Sequence, residues 1–429
     1  MFQPDLETMA PDQRRRVQEQ RLRQQLERLR AVDTPYWKAK LADVGPVRSL
    51  DDLSALPFTV KDELRDTYPF GMLAVPLADT VRVHASSGTR GKPTIVAYTR
   101  ADIAVFGELN ARAIASAGGT ADDVIQVAYG YGLFTGGLGL HYGVERLGAT
   151  AVPASGGNTA LQLQLLADLG VNGLCATPSF ALLLAERAAE QGIAGLGVRY
   201  GVFGAEPWSD AMRTKLETAW AAIGDGTFDA CDIYGLSEVI GPGVAMECRE
   251  GKGALHVFSD HFLPEVVDPA TGDPVPSGRT GELVLTTLTK QALPVLRYRT
   301  GDLTALVEGD CPCGRTFPRI ARFTGRVDDM LVVRGVNVFP SEVEAVVLDD
   351  ADVAGQYALV VDRRATLPTL EVRVELADGG ADRDAVAERL AVRLAQRLRV
   401  RVEIAVGDPG SLPRQETGKA RRVFDAEDL

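Results

Sequence analysis

The hydrophobic pattern of the chain begins with a helix. Between residues 11 and 32, apolar residues recur at intervals close to the helical repeat and many arginines lie between them: Val17, Leu22, Leu26 and Leu29. Such spacing places the apolar side chains on one face of an amphipathic helix. The basic face suits either a solvated surface or a nucleic-acid-binding arm, and we interpret it as the solvated face of a packed helix.

From about residue 80 to residue 235, short apolar runs alternate with helical stretches. The strand-like runs are VRVHAS, DDVIQVAYG, GATAVPAS, VNGLCATP and VRYGVFG, and segments such as ADIAVFGELNARAIASAG and ALQLQLLADLG separate them. This alternation is typical of βαβ units around a largely parallel sheet. The pattern predicts an α/β domain with mainly parallel strands flanked by helices.

The pattern changes twice further along the chain. Between residues 254 and 325, the runs ALHVFSD, PEVVDP, GELVLTTL and DLTALVEG lie between Gly and Pro turns, which predicts a β-rich subdomain at about 245–325. After Arg326 come MLVVRG, a helix opened by Ser341 with Glu344 three residues on, the hairpin-like QYALVVDRR and LEVRVELA, and the helix RDAVAERLAVRLAQRL. We therefore expect an N-terminal domain over residues 1–327 and a small α+β domain over residues 328–429.

Length and composition agree with this division. A chain of 429 residues exceeds the size at which one hydrophobic core stops growing, and 45% hydrophobic with 24% charged residues is ordinary for globular proteins. Uninterrupted apolar stretches of membrane-spanning length are absent from the sequence, and MFQPDLETMAPDQRRR lacks the apolar core of a secretory signal. We expect a cytoplasmic protein. Its formal net charge of −12 argues against binding to nucleic acid or to an anionic membrane.

A run of small and glycine residues follows the strand-like VRVHA: Ser86, Ser87, Gly88, Thr89, Arg90, Gly91, Lys92 and Pro93. Small residues let backbone N–H groups approach a phosphate closely, and the hydroxyls and Lys92 add donors. The run is not a Walker A loop, because the GxxxxGK[ST] spacing is absent and Pro93 prevents a long helix directly after Lys92. It predicts a triphosphate-binding loop, with a plain turn as the alternative.

A second motif lies at the end of a predicted strand. It consists of Asp232, Ile233, Tyr234, Gly235, Leu236, Ser237 and Glu238, and it is preceded along the chain by Gly204, Ala205, Glu206 and Pro207. Open α/β sheets bind ligands where strands end in such turns. Glu238 there could hold a hard cation such as Mg²⁺ through its carboxylate oxygens. An exposed turn glutamate is the alternative.

Three further positions carry polar groups that suit nucleotide chemistry. Asp302, in YRTGD, could accept hydrogen bonds from ribose hydroxyls, and Arg326, in GRVDD, could contact nucleotide oxygens. Lys419 follows Gly418 in the loop LPRQETGKARRV, from which a lysine can be delivered to a reacting centre. Singly, each also suits a surface turn, a salt-bridged arginine or a solvated lysine.

The order of all these motifs resembles that in the adenylate-forming superfamily of acyl-CoA synthetases, adenylation domains and luciferases. The closer match is to the phenylacetate–CoA ligase branch, and the resemblance spans roughly residues 55–425. The segments that carry it are PFTVKDELR (57–65), AYGYGLFTGG (128–137), FGAEPW (203–208), YGLSEVIGPG (234–243) and RGVNVFP (334–340). The resemblance implies an ATP-dependent ligase that converts a small aryl carboxylic acid to its acyl adenylate and then to a thioester of coenzyme A, with release of AMP and diphosphate.

The resemblance also implies how ATP is held. The segment 86–92 would cradle the phosphates, segments 204–207 and 232–236 would line the adenine next to Ser237, and Glu238 would meet Mg²⁺. Asp302 would hold the ribose and Arg326 would bind the nucleotide. Two residues depart from the pattern of this branch. Arg90 stands where the family commonly has Thr or Ser, and Gly301 stands where close relatives often have Arg, although glycine there agrees with the wider superfamily.

The implied catalytic cycle involves the small domain. Lys419 would bridge the substrate carboxylate and the α-phosphate during adenylation, and Asp328 would be the hinge on which the small domain rotates. Arg334 and Gly335 would then face the CoA tunnel. A homodimer is expected from the resemblance alone.

The acid would bind beside the nucleotide. Tyr129, Phe134 and the turn at Ile240, Gly241 and Pro242 match positions that line the acid pocket in this branch. Aromatic and apolar walls suit a flat ring beside the carboxylate. The alternative for Tyr129 and Phe134 is a place in the ordinary hydrophobic core.

The cysteines fall into two groups. Cys248 and His256 form a C-x7-H pair, and Cys311 and Cys313 form a C-x-C pair; three thiolates and an imidazole suit a tetrahedral, structural Zn²⁺. His261 is an alternative imidazole ligand, and reduced thiols near the surface are the alternative to a metal site. Cys175 and Cys231, on strand-like runs, are predicted to be small core residues.

Two other functions share parts of this pattern. A stand-alone adenylation enzyme would load an aryl acid onto the phosphopantetheine of a carrier protein or onto an amine, using the same adenylating residues. A non-catalytic nucleotide-binding regulator would have lost them, and the presence of Glu238, Asp302 and Lys419 disfavours that function.

Overall fold

The structure, a computed structural model, describes residues 1–86, 93–327, 330–334, 336–362, 364, 368–414 and 421–426. The α-helices in these ranges are α1 Pro4–Glu7, α2 Pro11–Arg30, α3 Pro35–Leu41, α4 Lys61–Asp66, α5 Arg100–Ser116, α6 Thr135–Leu147, α7 Thr159–Asp168, α8 Pro178–Glu190, α9 Asp210–Ile223, α10 Pro340–Val347 and α11 Arg383–Leu398. Short 3₁₀ helices span Leu50–Ala55 and Leu77–Asp79.

The β-strands are β1 Thr80–Ala85, β2 Ile95–Thr99, β3 Val124–Val127, β4 Thr150–Val152, β5 Gly173–Ala176, β6 Tyr200–Gly204, β7 Asp229–Leu236, β8 Gly241–Glu247, β9 Ala254–Val257, β10 Phe262–Val267, β11 Gly281–Thr287, β12 Tyr298–Thr304, β13 Leu306–Val307, β14 Arg319–Ala321, β15 Gly325–Arg326, β16 Leu331–Val333, β17 Val336–Val338, β18 Val353–Asp362, β19 Thr369–Leu376, β20 Glu403–Gly407 and β21 Val423–Asp425.

A large mixed sheet forms the centre of the molecule. Its strand order is β13-β14-β9-β8-β7-β6-β5-β3-β4, and the strands from β4 to β7 are parallel while those from β7 to β13 are antiparallel. Neighbouring residues of one strand belong to different cores: Leu174 packs in the core that contains α8 and α9, and Cys175 packs in the core that contains α5 and α6. Helices therefore cover both faces, as expected for strands that read as continuous apolar runs. The predicted α/β fold class is confirmed.

Two strand-like runs lie elsewhere than predicted. VRVHAS, expected among the parallel strands, forms β1 and pairs antiparallel with β2 in a separate two-stranded sheet. ALHVFSD forms β9, which belongs to the large sheet together with β13 and β14. The segment 245–325 therefore divides between the large sheet and the four-stranded sheet β10-β11-β12-β15. An apolar run predicts a strand, but its pairing partner is set by residues far along the chain, which explains both differences.

The C-terminal part is α+β, as predicted. β18 and β19 form the expected antiparallel hairpin within the sheet β20-β19-β18-β21. The helix predicted to open at Ser341 begins at Pro340 instead, with Phe339 at the N-cap position. Ser341 Oγ donates to the carbonyl oxygen of Thr324. The domain boundary at residues 327 and 328 stays a prediction, because residues 328 and 329 lie outside the described ranges.

The small domain packs on the helices of the large one through a buried carboxylate. Glu344 Oε1 accepts a hydrogen bond from the backbone N–H of Ser209 at 2.7 Å, and Oε2 accepts one from the Tyr357 hydroxyl at 2.7 Å. Burial raises the pKa of Glu344. Nearby, a Cβ atom added at Gly355 would lie 2.2 Å from Cδ2 of Leu182. The two parts of the chain are therefore in close, specific contact.

Helix α2 is packed against the rest of the molecule. Its residues Leu22, Leu26 and Leu29 are buried. Side chains from its basic face bond to carbonyl oxygens of distant segments, as Arg14 does to Thr316 and Arg28 to Lys290. These arginines therefore hold the helix against the rest of the large domain through hydrogen bonds. Within the described ranges, helices with the length and apolar character needed to cross a membrane are absent.

Lys290 is a buried cation whose removal is expected to stabilise the protein. It is 2% exposed, its Nζ makes no hydrogen bond within the described ranges and lies 3.3 Å from the centroid of the Tyr98 ring, and burial lowers its pKa to about 7. A lysine in an unfolded chain keeps its proton up to about pH 10.4. Between about pH 7 and pH 10 the unfolded chain therefore binds the extra proton, and the contribution of Lys290 to stability rises with pH.

We expect Lys290→Met to raise the free energy of unfolding near pH 7 by about 1–3 kcal/mol, because it removes a buried charge and keeps the length of the side chain. The gain should shrink as the pH approaches about 10. Denaturant unfolding at both pH values measures it, with Lys38→Met as the control at a lysine whose side chain is 66% exposed. A variant less stable than the wild type near pH 7 would contradict the prediction.

Candidate active site

The motif residues meet at a cavity of about 690 Å³ beyond the carboxyl ends of β6 and β7. Predicted site residues that line it are Ser86, Tyr129, Phe134, Ala205, Glu206, Pro207, Asp232, Ile233, Tyr234, Gly235, Ser237, Glu238, Pro242, Asp302 and Arg326. Those that lie outside the described residues are Ser87, Gly88, Thr89, Gly91, Lys92, Asp328 and Lys419, together with Arg90 and Gly335. Residues from sequence positions 86 to 326 thus share one site.

One corner of the cavity is organised around Asp302. Its carboxylate accepts hydrogen bonds from the Tyr234 hydroxyl and from Nη1 of Arg326, both at 2.6 Å. Pairing of β12 with β15 places Asp302 opposite Arg326. Tyr234 also stacks on Phe323, with ring centroids 4.1 Å apart, so a flat aromatic surface adjoins the carboxylate. Gly301, the departure from the family pattern, has a φ of 78°, a conformation that glycine adopts without strain.

Glu238 is a buried carboxylate with an unused oxygen. The residue is 4% exposed, and Lys61 Nζ lies 3.2 Å from its Oε1, within ion-pair distance but outside hydrogen-bond geometry. Lys61 begins α4 and lines the same cavity, and the sequence-based site did not include it. A carboxylate in the cavity lining with an oxygen that makes no hydrogen bond within the described residues suits a hard divalent cation.

The end of β7 is held by a network of charges. Asp232 donates its backbone N–H to Glu247 at 2.8 Å, and Glu247 pairs with Arg213. The Asp232 carboxylate accepts from Nε of Arg322 at 3.2 Å, and the Arg322 guanidinium lies 4.3 Å from the centroid of the Trp208 ring. Burial raises the pKa of Asp232 to about 6, against the opposing effect of Arg322. The network fixes the strand end from which Tyr234 and Glu238 project.

The segment 204–207 forms another wall of the cavity, and its backbone conformation depends on residues with small side chains. A Cβ atom at Gly204 would lie 2.2 Å from the carbonyl oxygen of Ile233, so only glycine fits beside β7. Ala205 has a φ of 71°, which is strained for a residue with a side chain. Glu206 turns towards α8, where Oε1 accepts from the backbone N–H of Ser179 at 2.8 Å. Ala205, Glu206 and Pro207 all line the cavity.

The predicted acid pocket is only partly present in the cavity lining. Tyr129, Phe134 and Pro242 line it, with the Tyr129 and Phe134 rings 6.5 Å apart. Ile240 and Gly241 do not line it. Ile240 is 1% exposed in the core, where its carbonyl oxygen accepts from Tyr98, and Gly241 makes the tight turn into β8. The sequence placed the turn correctly and could not tell which of its residues faces inward.

The cysteine and histidine residues form a separate cluster. Ligand atoms of Cys248, His256, Cys311 and Cys313 all lie within 4.8 Å of one another. His261, the alternative ligand, is not part of it: its Nδ1 lies 2.7 Å from the hydroxyl of Thr289, and its Nε2 lies 3.3 Å from Asp260. The other cysteines are buried in the core, as predicted, and burial raises the pKa of both thiols: Cys175 and Cys231.

Comparison with known proteins gives both parts of the chain the same relatives. A family model described as AMP-binding enzyme matches residues 20–288, and one described as AMP-binding enzyme C-terminal domain matches residues 335–427. A phenylacetate-coenzyme A ligase of Thermus thermophilus is 45% identical over 99% of this chain and 99% of its own. That of Escherichia coli K12 is 48% identical over 89% of this chain and 87% of its own.

Solved structures agree with the sequence relatives. The crystal structure of 2-hydroxyisobutyryl-CoA ligase in the postadenylation state, in complex with 2-HIB-AMP, is 29% identical, covers 98% of this chain and 91% of its own, and overlaps with a TM-score of 0.90. The same ligase in the thioesterification state, with CoA also bound, overlaps over the same shares with a TM-score of 0.71. The arrangement of the two parts in this chain is therefore closer to the postadenylation state. Taken with the cavity and its residues, these matches show that the chain belongs to the AMP-binding enzyme family and, within it, to the phenylacetate-coenzyme A ligases.

Proposed function

We propose that this protein is an ATP-dependent aryl acid:CoA ligase, which forms an acyl adenylate and then a thioester and releases AMP and diphosphate. The observation that carries the proposal is the meeting of Glu238, Asp302 and Arg326 in one cavity with the aromatic residues Tyr129 and Phe134. Charged groups that suit a metal–nucleotide complex thus share a site with apolar walls that suit a ring. The curated relatives named phenylacetate-coenzyme A ligase support the same reaction class.

The nucleotide would lie against the ends of β6 and β7. The residues at 204–207 and the Tyr234–Phe323 pair form walls for the adenine, and Asp302 presents carboxylate oxygens to the ribose hydroxyls. Arg326, which already contacts Asp302, places a positive charge where nucleotide oxygens would lie. ATP supplies the AMP group and the diphosphate leaving group.

Charge repulsion is the main physical obstacle to adenylation, because a carboxylate must approach a triphosphate. Glu238 would hold Mg²⁺ through Oε1, which makes no hydrogen bond within the described residues. Lys61 adds a second positive charge, with its Nζ 3.2 Å from the same oxygen. Lys419 and Asp328, which lie outside the described residues, keep their proposed roles as carboxylate-bridging lysine and hinge. These groups would act by positioning and by electrostatic stabilisation.

Other proposed properties of the protein, its location, oligomeric state and structural metal ion, do not bear on the reaction. We propose a cytoplasmic homodimer and a structural metal ion at the cysteine–histidine cluster, which lies apart from the residues that line the cavity. The acidic net charge supports small-molecule substrates and not nucleic acid or anionic membrane as partners.

Tyr234→Phe tests the ribose corner. Removing the hydroxyl takes away the 2.6 Å hydrogen bond to Asp302 and leaves the stacking on Phe323 in place. Because the hydroxyl orients the Asp302 carboxylate for the ribose, its loss predicts a rise in the KM for ATP of up to roughly 10-fold, within the about 1.5–3 kcal/mol that a hydrogen bond to a charged group is worth. Steady-state kinetics with ATP varied would measure it, and the KM for the acid, which serves as the internal control, should stay nearly unchanged. An unchanged KM for ATP would contradict this placement of the ribose.

The reaction itself is tested by measuring acid-dependent AMP release with ATP and Mg²⁺, with and without CoA. The panel should contain phenylacetate, substituted benzoates and heteroaryl acids. A thioester that forms only with CoA, from one preferred acid, would establish the ligase and its substrate together. An adenylate that forms and is never transferred to CoA would indicate that a carrier protein or an amine is the acceptor. No AMP release with any acid would contradict adenylation.

A further inference from the structure

Two glycine-bearing turns bring the cysteine–histidine cluster together. Cys248 follows β8 and His256 lies on β9, so the hairpin between them presents both residues on one side. Cys311 and Cys313 lie in the loop between β13 and β14, and β14 pairs with β9 so that Arg319 is opposite His256. The cluster is thus built at the β14–β9–β8 side of the large sheet.

The spacing of the donor atoms matches a four-coordinate metal site. Sγ of Cys248 and Sγ of Cys311 are 3.4 Å apart, and Sγ of Cys313 is 3.4 Å from Nε2 of His256. Tetrahedral zinc with Zn–S of about 2.3 Å and Zn–N of about 2.0 Å places neighbouring ligand atoms roughly 3.5–3.8 Å apart. The observed distances lie close to the edges of such a tetrahedron.

The surroundings of the sulfur atoms also suit thiolates bound to a metal. The backbone N–H of Arg315 donates to Sγ of Cys313 at 3.4 Å, after a turn in which the N–H of Gly314 donates to the carbonyl oxygen of Cys311. A Cβ atom at Gly251 would lie 2.5 Å from Sγ of Cys311, so the glycine leaves room for the sulfur atoms. Nδ1 of His256 makes no hydrogen bond within the described residues, so only packing and the other ring nitrogen orient the imidazole.

We propose that these four residues bind one structural Zn²⁺ and that the ion holds the N-terminal segment, residues 1–10, against the large sheet. Three sulfur donors and one imidazole favour zinc over harder cations, and four protein ligands leave no open position for a substrate. This inference does not depend on the proposed ligase activity.

The link to the N-terminal segment runs through the residues that follow Cys313. Nε of Arg315 donates to Oε2 of Glu7 at 2.7 Å, in an ion pair whose side chains are 3% and 0% exposed. The backbone N–H of Thr316 donates to the carbonyl oxygen of Glu7 at 3.0 Å, and its hydroxyl donates to that of Met9 at 2.6 Å. A metal that fixes Cys311 and Cys313 therefore also fixes the residues that bind Glu7.

Metal analysis of the purified protein tests the site. We expect one zinc per chain in protein prepared without chelators, loss of zinc in Cys311→Ala/Cys313→Ala, and retention in the matched control Cys231→Ala, whose thiol is buried in the core. Protein without stoichiometric zinc, or a double variant that keeps it, would overturn the proposal. If the double variant does not fold, wild-type protein loaded with Co²⁺ decides: an intense tetrahedral spectrum with thiolate charge-transfer bands supports the site, and a weak octahedral spectrum rejects it.

Hydrogen exchange tests the consequence for the N-terminal segment. When zinc is removed with a mercurial reagent and a chelator, amides of residues 6–16 should exchange roughly tenfold faster or more, because their docking surface loosens. Amides of the central strand β5 serve as the internal control and should keep their protection. Unchanged exchange at residues 6–16 after complete zinc loss would contradict the coupling, even where the zinc site itself is established.

Discussion

Glu238→Gln is expected to lower the rate of acid-dependent AMP release by about 10²–10³-fold, the effect of removing one preorganised electrostatic group from an active site. Glutamine keeps the size of the side chain and its contact with the cavity wall. It removes the negative charge on an oxygen that lies 3.2 Å from Lys61 Nζ and makes no hydrogen bond to the described part of the chain. A neutral amide is a poorer ligand for a hard divalent cation, so the proposed metal–nucleotide complex would lose its anchor.

The measurement is kcat and the Mg²⁺ concentration for half-maximal rate. We expect the variant to need more Mg²⁺ and to recover part of its activity at high concentration. Asp62→Asn is the matched control, because Asp62 lines the same cavity and its side chain is 76% exposed. A wild-type rate and wild-type Mg²⁺ dependence in Glu238→Gln would remove Glu238 from the proposed metal site.

Lys419→Ala is expected to separate the two half-reactions. Adenylate formation should fall by about 10²–10³-fold, since the proposed role of the lysine is to offset the repulsion between the carboxylate and the α-phosphate. Transfer of the acyl group from supplied acyl adenylate to CoA involves no such repulsion. That second rate should therefore stay near the wild-type value.

Each half-reaction has its own assay: AMP or diphosphate release from acid and ATP, and thioester formation from synthetic acyl adenylate and CoA. Arg401→Ala removes a charge from an exposed position in the same domain and should leave both rates nearly unchanged. Equal loss of both half-reactions in Lys419→Ala would show that the lysine acts through the structure of the domain and not through adenylation.

The sequence predicted those features that depend on local pattern. Continuous apolar runs between helices gave the parallel strands β3 to β7, and alternation gave the β18–β19 hairpin. The resemblance to a known family predicted which residues would meet in the cavity, including Asp302 and Arg326 on the antiparallel strands β12 and β15. The described members of the nucleotide motifs lie in or beside that cavity.

What the sequence did not predict depends on contacts distant along the chain. Glu344 was expected to support the start of a helix at Ser341, and instead it bonds Ser209, 135 positions earlier. Phe323 reaches the cavity through β-sheet pairing, and Lys61 reaches it because α4 begins there. Neither residue lies in the motifs that predicted the nucleotide site. His256, and not His261, lies in the cysteine cluster because β9 pairs with β14, which no local pattern reveals.

The fit of Leu182 against Gly355 is one of the contacts that hold the small domain in the arrangement described above. The small domain has to leave this contact in the proposed cycle, as the two states of 2-hydroxyisobutyryl-CoA ligase differ in overlap with this chain. Every 1.4 kcal/mol added to or taken from the contact changes the ratio of docked to rotated molecules about tenfold. A side chain at position 355 would crowd Leu182 in the docked form described here. In the proposed cycle, the absence of a side chain at position 355 therefore favours the docked arrangement.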